Sequence, residues 1–342
     1  MIDLTVAGGG PAGLFTALFA RAAGLTVRVV EPRRSPIDKA CGEGLMPGAV
    51  ELLAGFGLRA GVELPGAAFV GIRYLDDRYL AEARFGSGTG WGMRRDLLQG
   101  ALFRRAEAAG VEFVEGSVGD IQQDGERVRA GALTSRYLVA ADGLHSRIRH
   151  ALGLQLPDRS APRWGLRRHL QITPWTDHVE VRWAAAAEAY LTPLGPDLLS
   201  VALLTDRRGS FDEQLTAFPE LAERLKGVAG DQVRGAGPLR QRVGSRVAGR
   251  VLLVGDAAGY VDALTGEGID IAARSARELI RCLTADRPAD YERAWRGVTR
   301  RYRYLTGALL AGRRREPVRR RLVGAAARHP RLFRATVHQL TR

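Results

Sequence analysis

Val6-Ala7-Gly8-Gly9-Gly10-Pro11-Ala12-Gly13 follows the apolar run 2–6 and opens the helix-like run 14–23. Its spacing decides the fold. Gly8, Gly10 and Gly13 occupy the positions of a G-x-G-x-x-G turn between a strand and a helix. The first glycine permits the tight turn, the second lets backbone approach a pyrophosphate, and the third lets the helix lie against the sheet. Phosphates then rest on the unpaired N–H groups and positive end of that helix, beside Pro11 and Ala12. Residues 25–30 read as the next strand. Glu31 ends it ~20 residues on, where a ribose-binding acid is expected, with Arg33 just beyond. Plain turn glycines and a solvated strand-end acid are the alternatives at these positions. Strand, glycines, helix, strand and acid in order point to a Rossmann-like α/β lobe.

A second segment separates the dinucleotides. Val251-Leu252-Leu253-Val254-Gly255-Asp256 is an apolar strand ending in Gly-Asp, followed by Thr265-Gly266-Glu267-Gly268 and a helical pattern over 271–283. A Rossmann half that binds NAD needs nothing like this late in the chain. FAD does, because its ribityl chain and ring extend past the pyrophosphate. Asp256 is placed to accept from ribityl hydroxyls, or to cap a helix. Amides around Gly266 and Gly268 would favour negative charge on the flavin's pyrimidine edge.

Between the two segments lies Ala140-Ala141-Asp142-Gly143-Leu144-His145-Ser146-Arg147. With it the chain resembles the FAD-dependent aromatic hydroxylases of the para-hydroxybenzoate hydroxylase type, whose fold geranylgeranyl reductases and flavin-dependent halogenases share. The resemblance spans about residues 1–285. It implies that Gly8, Gly10, Gly13 and Glu31 bind the ADP half and that Arg95, ahead of the helical run 97–109, contacts the cofactor. It further implies that Asp142 and Gly143 serve both FAD and NAD(P)H, and that Gly255 and Asp256 serve the ribityl chain. Ala263 and Asp270 depart from the family pattern, which has proline and asparagine there in many members.

At 342 residues the chain exceeds one usual core, so two lobes are expected. Residues 1–68, 90–155 and 245–342 would build the FAD-binding lobe. Residues 69–89 and 156–244 would build a smaller antiparallel-sheet lobe over the flavin, with strands at 164–172, 178–183, 188–192 and 198–205. No apolar run approaches the ~20 residues of a spanning helix, and no leader is visible before the first strand. Cys41 and Cys282 offer neither metal spacing nor a disulfide framework, and the six histidines form no ligand cluster, so no metal site and a reducing cytoplasm are expected.

Charge is uneven. From Arg296 onward there are fourteen arginines and one acid, Glu316, so this tail carries nearly the whole formal +14. Its alternation of arginines with apolar pairs reads as short amphipathic helices. A solvated cover on the FAD lobe is the first reading and a surface for anionic membrane the second. A nucleic-acid site lacks any aromatic platform.

In the resembling hydroxylases, reduced FAD and O2 form a C4a-hydroperoxide that delivers hydroxyl to an electron-rich ring, while the protein excludes water. The expected function is therefore a monooxygenase acting on a phenolic or polyketide-like molecule with NAD(P)H and O2. Residues 39–47, Lys-Ala-Cys-Gly-Glu-Gly-Leu-Met-Pro, instead resemble the Cys-Gly segment of geranylgeranyl reductases, which gives the alternative: saturation of C=C bonds in an isoprenoid or lipid. The reductases' Tyr-x-Trp-x-Phe-Pro segment survives only as Tyr190-Leu191-Thr192-Pro193. No Trp-x-Trp-x-Ile-Pro segment of halogenases occurs. Cys41, Trp183 and Tyr190 are the candidate flavin- or substrate-facing residues, with buried structural roles as their plain alternative.

Overall fold

The computed structural model describes residues 1–340; Arg342, counted above in the tail's charge, lies outside them. The first two apolar runs form adjacent parallel strands, Ile2–Ala7 and Val27–Glu31, with Leu4 opposite Val27 and Ala7 opposite Val30. Leu133–Ala140 pairs in parallel along the other side of the first strand, and Val251–Leu253 pairs in parallel with it in turn. Glu112–Glu115 adds a fifth parallel strand beyond Val27–Glu31. Their side chains explain this placement: Leu4, Val6, Val29, Leu138, Val139, Leu252 and Leu253 are wholly buried, and parallel strands survive only when both faces are covered. The helices Pro11–Ala22, Arg95–Ala108 and Gly268–Thr284 supply cover, the first packing against the other two. Three motif-bearing strand ends, at Ala7, Ala140 and Leu253, are thereby brought side by side.

Over this layer lies a seven-stranded roof. Its order is Arg234–Ala236, Trp164–Leu170, Leu198–Thr205, Ala187–Gly195, His178–Trp183, Gly71–Leu75 and Leu80–Arg84. All neighbours are antiparallel except His178–Trp183 with Gly71–Leu75. The expected strand at 164–172 stops at Leu170, and the one at 188–192 runs longer, from Ala187 to Gly195. A small sheet of Gly44–Leu45, Gly90–Gly92 and Ala67–Phe69 marks the seam between the layers.

The basic tail forms helices Tyr291–Arg314, Glu316–Arg328 and Pro330–Leu340. The first belongs to the nucleotide-binding lobe, where the Tyr291 hydroxyl donates to the Leu253 carbonyl at 3.1 Å. The other two correct the expectation of a cover on that lobe. They pack on the roof strand Leu80–Arg84, burying Val323, Phe333 and Val337 with Ile72, Tyr74, Ala81 and Ala83. The Phe333 ring lies 5.0 Å from that of Tyr74. The reason is that the roof edge presents an apolar surface, with Ile72, Tyr74, Ala81 and Ala83, that takes their apolar stripes.

Arg313, at the end of the first tail helix, is 5% exposed and joins a buried cluster. It donates to Glu188 and to Asp206, the latter at 3.2 Å. Glu188 also takes Arg163 at 2.5 Å, and Arg163 faces Asp262 at 3.3 Å. Removing one partner of a buried ion pair leaves the other charge poorly compensated, at a cost of about 3–5 kcal/mol. Urea unfolding of Arg313→Ala is expected to show a loss of that order; a loss within ~1 kcal/mol would mean that the tail docks by its apolar stripe alone.

Candidate active site

A cavity of about 1050 Å³ lies between the two layers. Gly10, Pro11, Ala12, Asp142, Gly143, Gly255, Asp256, Gly266 and Gly268 line its floor, and Tyr190, Thr192, Ala202 and Leu204 its roof. Segments more than two hundred residues apart thus face one space.

The three fingerprint glycines do different work. Gly8 has φ +114, and a Cβ there would stand 2.4 Å from the Ala141 carbonyl oxygen. A Cβ on Gly13 would stand 1.9 Å from the Gly8 oxygen, so the helix approaches the turn as closely as backbone allows. Gly10 has no such neighbour: only the Arg95 guanidinium comes within 4 Å, at 3.8 Å. Space before Gly10 is left open on the cavity side. Glu31 accepts from the Gly9 amide at 2.8 Å and from Arg33 at 2.7 Å. Burial raises its carboxyl, but the Arg33 guanidinium and the Gly9 amide outweigh that and hold it below the ordinary value. Glu31 and Arg33 are thus locked behind the turn, not among the residues lining the cavity.

Several groups lack protein partners where FAD would need them. Arg95, 7% exposed, has Nη1 without a hydrogen bond, while its amide donates to Glu43 at 2.8 Å. Asp142 accepts from the Ile148 amide at 3.2 Å through Oδ2 and leaves Oδ1 buried and unpartnered. Both residues line the cavity, so these two atoms are free to meet polar atoms of a ligand there. Burial pushes the Asp256 carboxyl up, against the opposing charges of Lys39, Arg95 and Arg149. Gly255, at φ +63, packs against Ala12, and Gly266, at φ +70, precedes the helix that begins at Gly268. This donor set fits FAD: Gly10–Ala12 and Arg95 would hold its pyrophosphate and Asp256 its ribityl chain, with Gly266 and Gly268 left for the ring.

Cys41 lines the cavity, its sulfur accepting from the Glu43 amide at 3.4 Å. Burial first, and the Glu43 charge second, push its thiol up, so it stays neutral and poorly nucleophilic. The Tyr190 hydroxyl donates to the Leu264 carbonyl at 2.7 Å, tying roof to ring loop, and burial pushes that phenol well above its ordinary range. Trp183 is different. It is buried against Tyr74, with ring centroids 5.4 Å apart, and is not among the cavity-lining residues.

Sequence reasoning missed the group beside Cys41. Glu43, 2% exposed and left-handed at φ +61, accepts from Ser200 and contacts His169 Nε2, both at 2.7 Å. Arg167, fully buried on the same roof strand as His169, pairs with Asp38 on the loop below. The available signal was weak: an acid in the Cys-Gly segment and the charges Arg167 and His169 inside a strand pattern.

Comparison with known proteins agrees with the geometry. Residues 1–191, more than half the chain, match the family described as FAD binding domain. The chain belongs to that family. A menaquinone reductase of Mycolicibacterium smegmatis is 29% identical over 329 residues, covering 86% of this chain and 79% of that protein. Digeranylgeranylglycerophospholipid reductase 1 of Methanopyrus kandleri is 30% identical, covering 79% and 77%. Protoasukamycin 4-monooxygenase of Streptomyces nodosus is 29% identical, covering 86% and 84%. Among solved structures, a flavoprotein/dehydrogenase from Cytophaga hutchinsonii superposes with TM-score 0.80 at 20% identity, over 91% of this chain and 86% of its own. A flavin-dependent brominase gives 0.78 at 18%, over 99% and 93%. These two share the fold. The chain is an FAD-dependent oxidoreductase of the monooxygenase and reductase group.

Two substitutions separate folding from cofactor binding. Gly10→Val should fold yet bind no FAD, because its side chain meets only the cofactor's space, whereas Gly13→Val should fail to fold. A yellow, FAD-saturated Gly10→Val protein would contradict the pyrophosphate assignment. Asp256→Ala should keep its fold and raise the Kd for FAD by about ten- to a hundred-fold, the worth of one hydrogen bond to a charged group. An unchanged Kd, measured by flavin fluorescence, would reduce Asp256 to a structural role.

Proposed function

We propose that this chain is a reductase saturating a carbon–carbon double bond of an apolar, isoprenoid-like molecule. The observation carrying this reading is the Cys-Gly loop: Cys41 and Gly42, with a neutral thiol, line the same cavity as Pro11, Asp142 and Gly266. The facing wall is apolar, with Ile72, Tyr74, Val179, Val181 and Leu204. The menaquinone and digeranylgeranylglycerophospholipid reductases are named for substrates that such a wall suits. FAD, when bound, would supply hydride to one carbon of the double bond, with a proton from solvent completing the other, and NAD(P)H would restore its electrons. The roof strands, whose Val179, Val181, Tyr190 and Leu204 line the cavity, would keep water out and hold the substrate along the ring loop.

For the reductant, support comes from a second cavity of about 550 Å³ sharing Gly255, Asp256, Tyr260 and Gly268 with the first. Arg240, Arg242, Arg246, Arg296, Arg300 and Arg303 line it, a setting for the phosphates of NAD(P)H. For a lipidic substrate, support comes from the last two helices. Arg320, Arg321, Arg328, Arg331 and Arg334 are exposed there beside Leu332, which is 67% exposed, and such a face suits an anionic bilayer. No helix among the described residues is long and apolar enough to cross a membrane.

Hydroxylation, the reading that sequence favours, keeps one specific support. Trp164, Tyr74 and Tyr260 also line the cavity and could sandwich a phenolic or polyketide-like ring. Oxygen decides between the two. Reduced enzyme is mixed under strict anaerobiosis with a geranylgeranyl lipid and, separately, with a phenol; the lipid is expected to reoxidise it and to gain two hydrogens in its prenyl chain. Turnover only on adding O2, with an oxygenated phenolic product, would overturn the reductase reading.

A further inference from the structure

We propose that His169 stores a proton, taken from solvent through Asp231, when electrons enter the main cavity. The inference rests on the flavin reading but concerns residues outside the cofactor motifs. His169 is 3% exposed, on the roof strand Trp164–Leu170. Its Nε2 lies 2.7 Å from Glu43 Oε2, so Nε2–H donates to a carboxylate whose residue lines the cavity. Its Nδ1 has two neighbours of opposite kind. Arg167 Nη1, a donor, is 3.1 Å away, and Asp231 Oδ2, an acceptor, is 2.7 Å away. A bare Nδ1 therefore has a donor waiting and a protonated Nδ1 has an acceptor waiting.

The route and the charge balance agree. Asp231 is 39% exposed at its side chain and reaches water, whereas Glu43 and Arg167 do not. The groups facing His169 are Arg167 on its own strand, Ser200 on the neighbouring strand, Glu43 from the Cys-Gly loop, and Asp231 from the loop before Arg234. Arg167 also pairs with Asp38, which Arg234 holds from outside at 3.1 Å. Three carboxylates in this cluster face two guanidiniums, so it accepts one further positive charge. Reduction adds negative charge to the cavity beside Glu43. The Asp231 carboxylate would first take a proton from water and pass it to Nδ1 across their 2.7 Å contact, returning to carboxylate, and reoxidation would reverse the path. His169 touches no reacting atom in this scheme; it is a positioning residue that holds the charge of Glu43 compensated in both redox states.

Proton counting tests this without turnover. FAD-loaded protein is reduced anaerobically with dithionite in weak buffer containing a pH indicator, and protons taken up per two electrons are counted between about pH 5 and 8. Wild type is expected to take up as much as about one proton more than His169→Gln over part of that range. Asp231→Asn, which removes the relay and one of the three carboxylates, should take up protons at least about ten-fold more slowly and no more of them than wild type, with imidazole restoring the rate. Equal counts and rates in all three proteins at equal FAD content would overturn the proposal. Were His169→Gln not to fold, Asp231→Asn alone would decide, an unchanged uptake rate being the contrary result. Colourless, FAD-free wild type would sink the flavin reading instead.

Discussion

Two buried charge clusters hold the roof over the nucleotide-binding layer, and the cavity exists because of them. At one end, Arg167 and His169 of the roof meet Asp38 and Glu43 of the Cys-Gly loop. At the other, Glu188 and Arg163 of the roof meet Asp262 of the ring loop and Arg313 of the tail. Apolar contact alone would let the layers slide, since it is non-directional. Buried ions tolerate little sliding, because each displaced charge would be left unpaired in a medium that solvates it poorly. The gap between clusters is the space that flavin and substrate would share.

The lower layer was legible because its constraints act on backbone. A carbonyl 1.9 Å from where Gly13 would carry a Cβ admits no other residue, and the spacing of Gly8 and Gly13 repeats that constraint in sequence. Three apolar strands ending in glycine or aspartate announce where their C-terminal ends lie. Four of the seven roof strands also declare themselves, bounded by Pro174 and by Gly195-Pro196, with ends displaced by only a few residues, whereas Gly71–Leu75, Leu80–Arg84 and Arg234–Ala236 did not. Tyr190, which lines the cavity, stands out in sequence because an aromatic and a proline fall together on one strand.

The clusters were not legible. Glu43 and His169 are separated by 126 positions, and Arg313 and Glu188 by 125. In a chain so rich in arginine, a buried guanidinium has the same sequence signature as a solvated one. The tail misled for this reason: its arginines read as a solvated cover, yet Arg313 is interior and its helices complete the roof. Trp183 misled in the opposite way. A large aromatic on a roof strand suggests a substrate wall, and Trp183 does share the face of the cavity-lining Val179 and Val181, but at the strand's end it packs on Tyr74 beyond the cavity lining.

The central claim is that floor and roof enclose a single flavin site. A crystal structure of the FAD-loaded protein tests it most directly. The account requires pyrophosphate density over Gly10–Ala12 within hydrogen-bonding reach of Arg95, and the isoalloxazine ring between the Cys41 loop and Gly266–Gly268. Flavin bound on the outer surface, or a ring turned away from Cys41 and Tyr190, would contradict it.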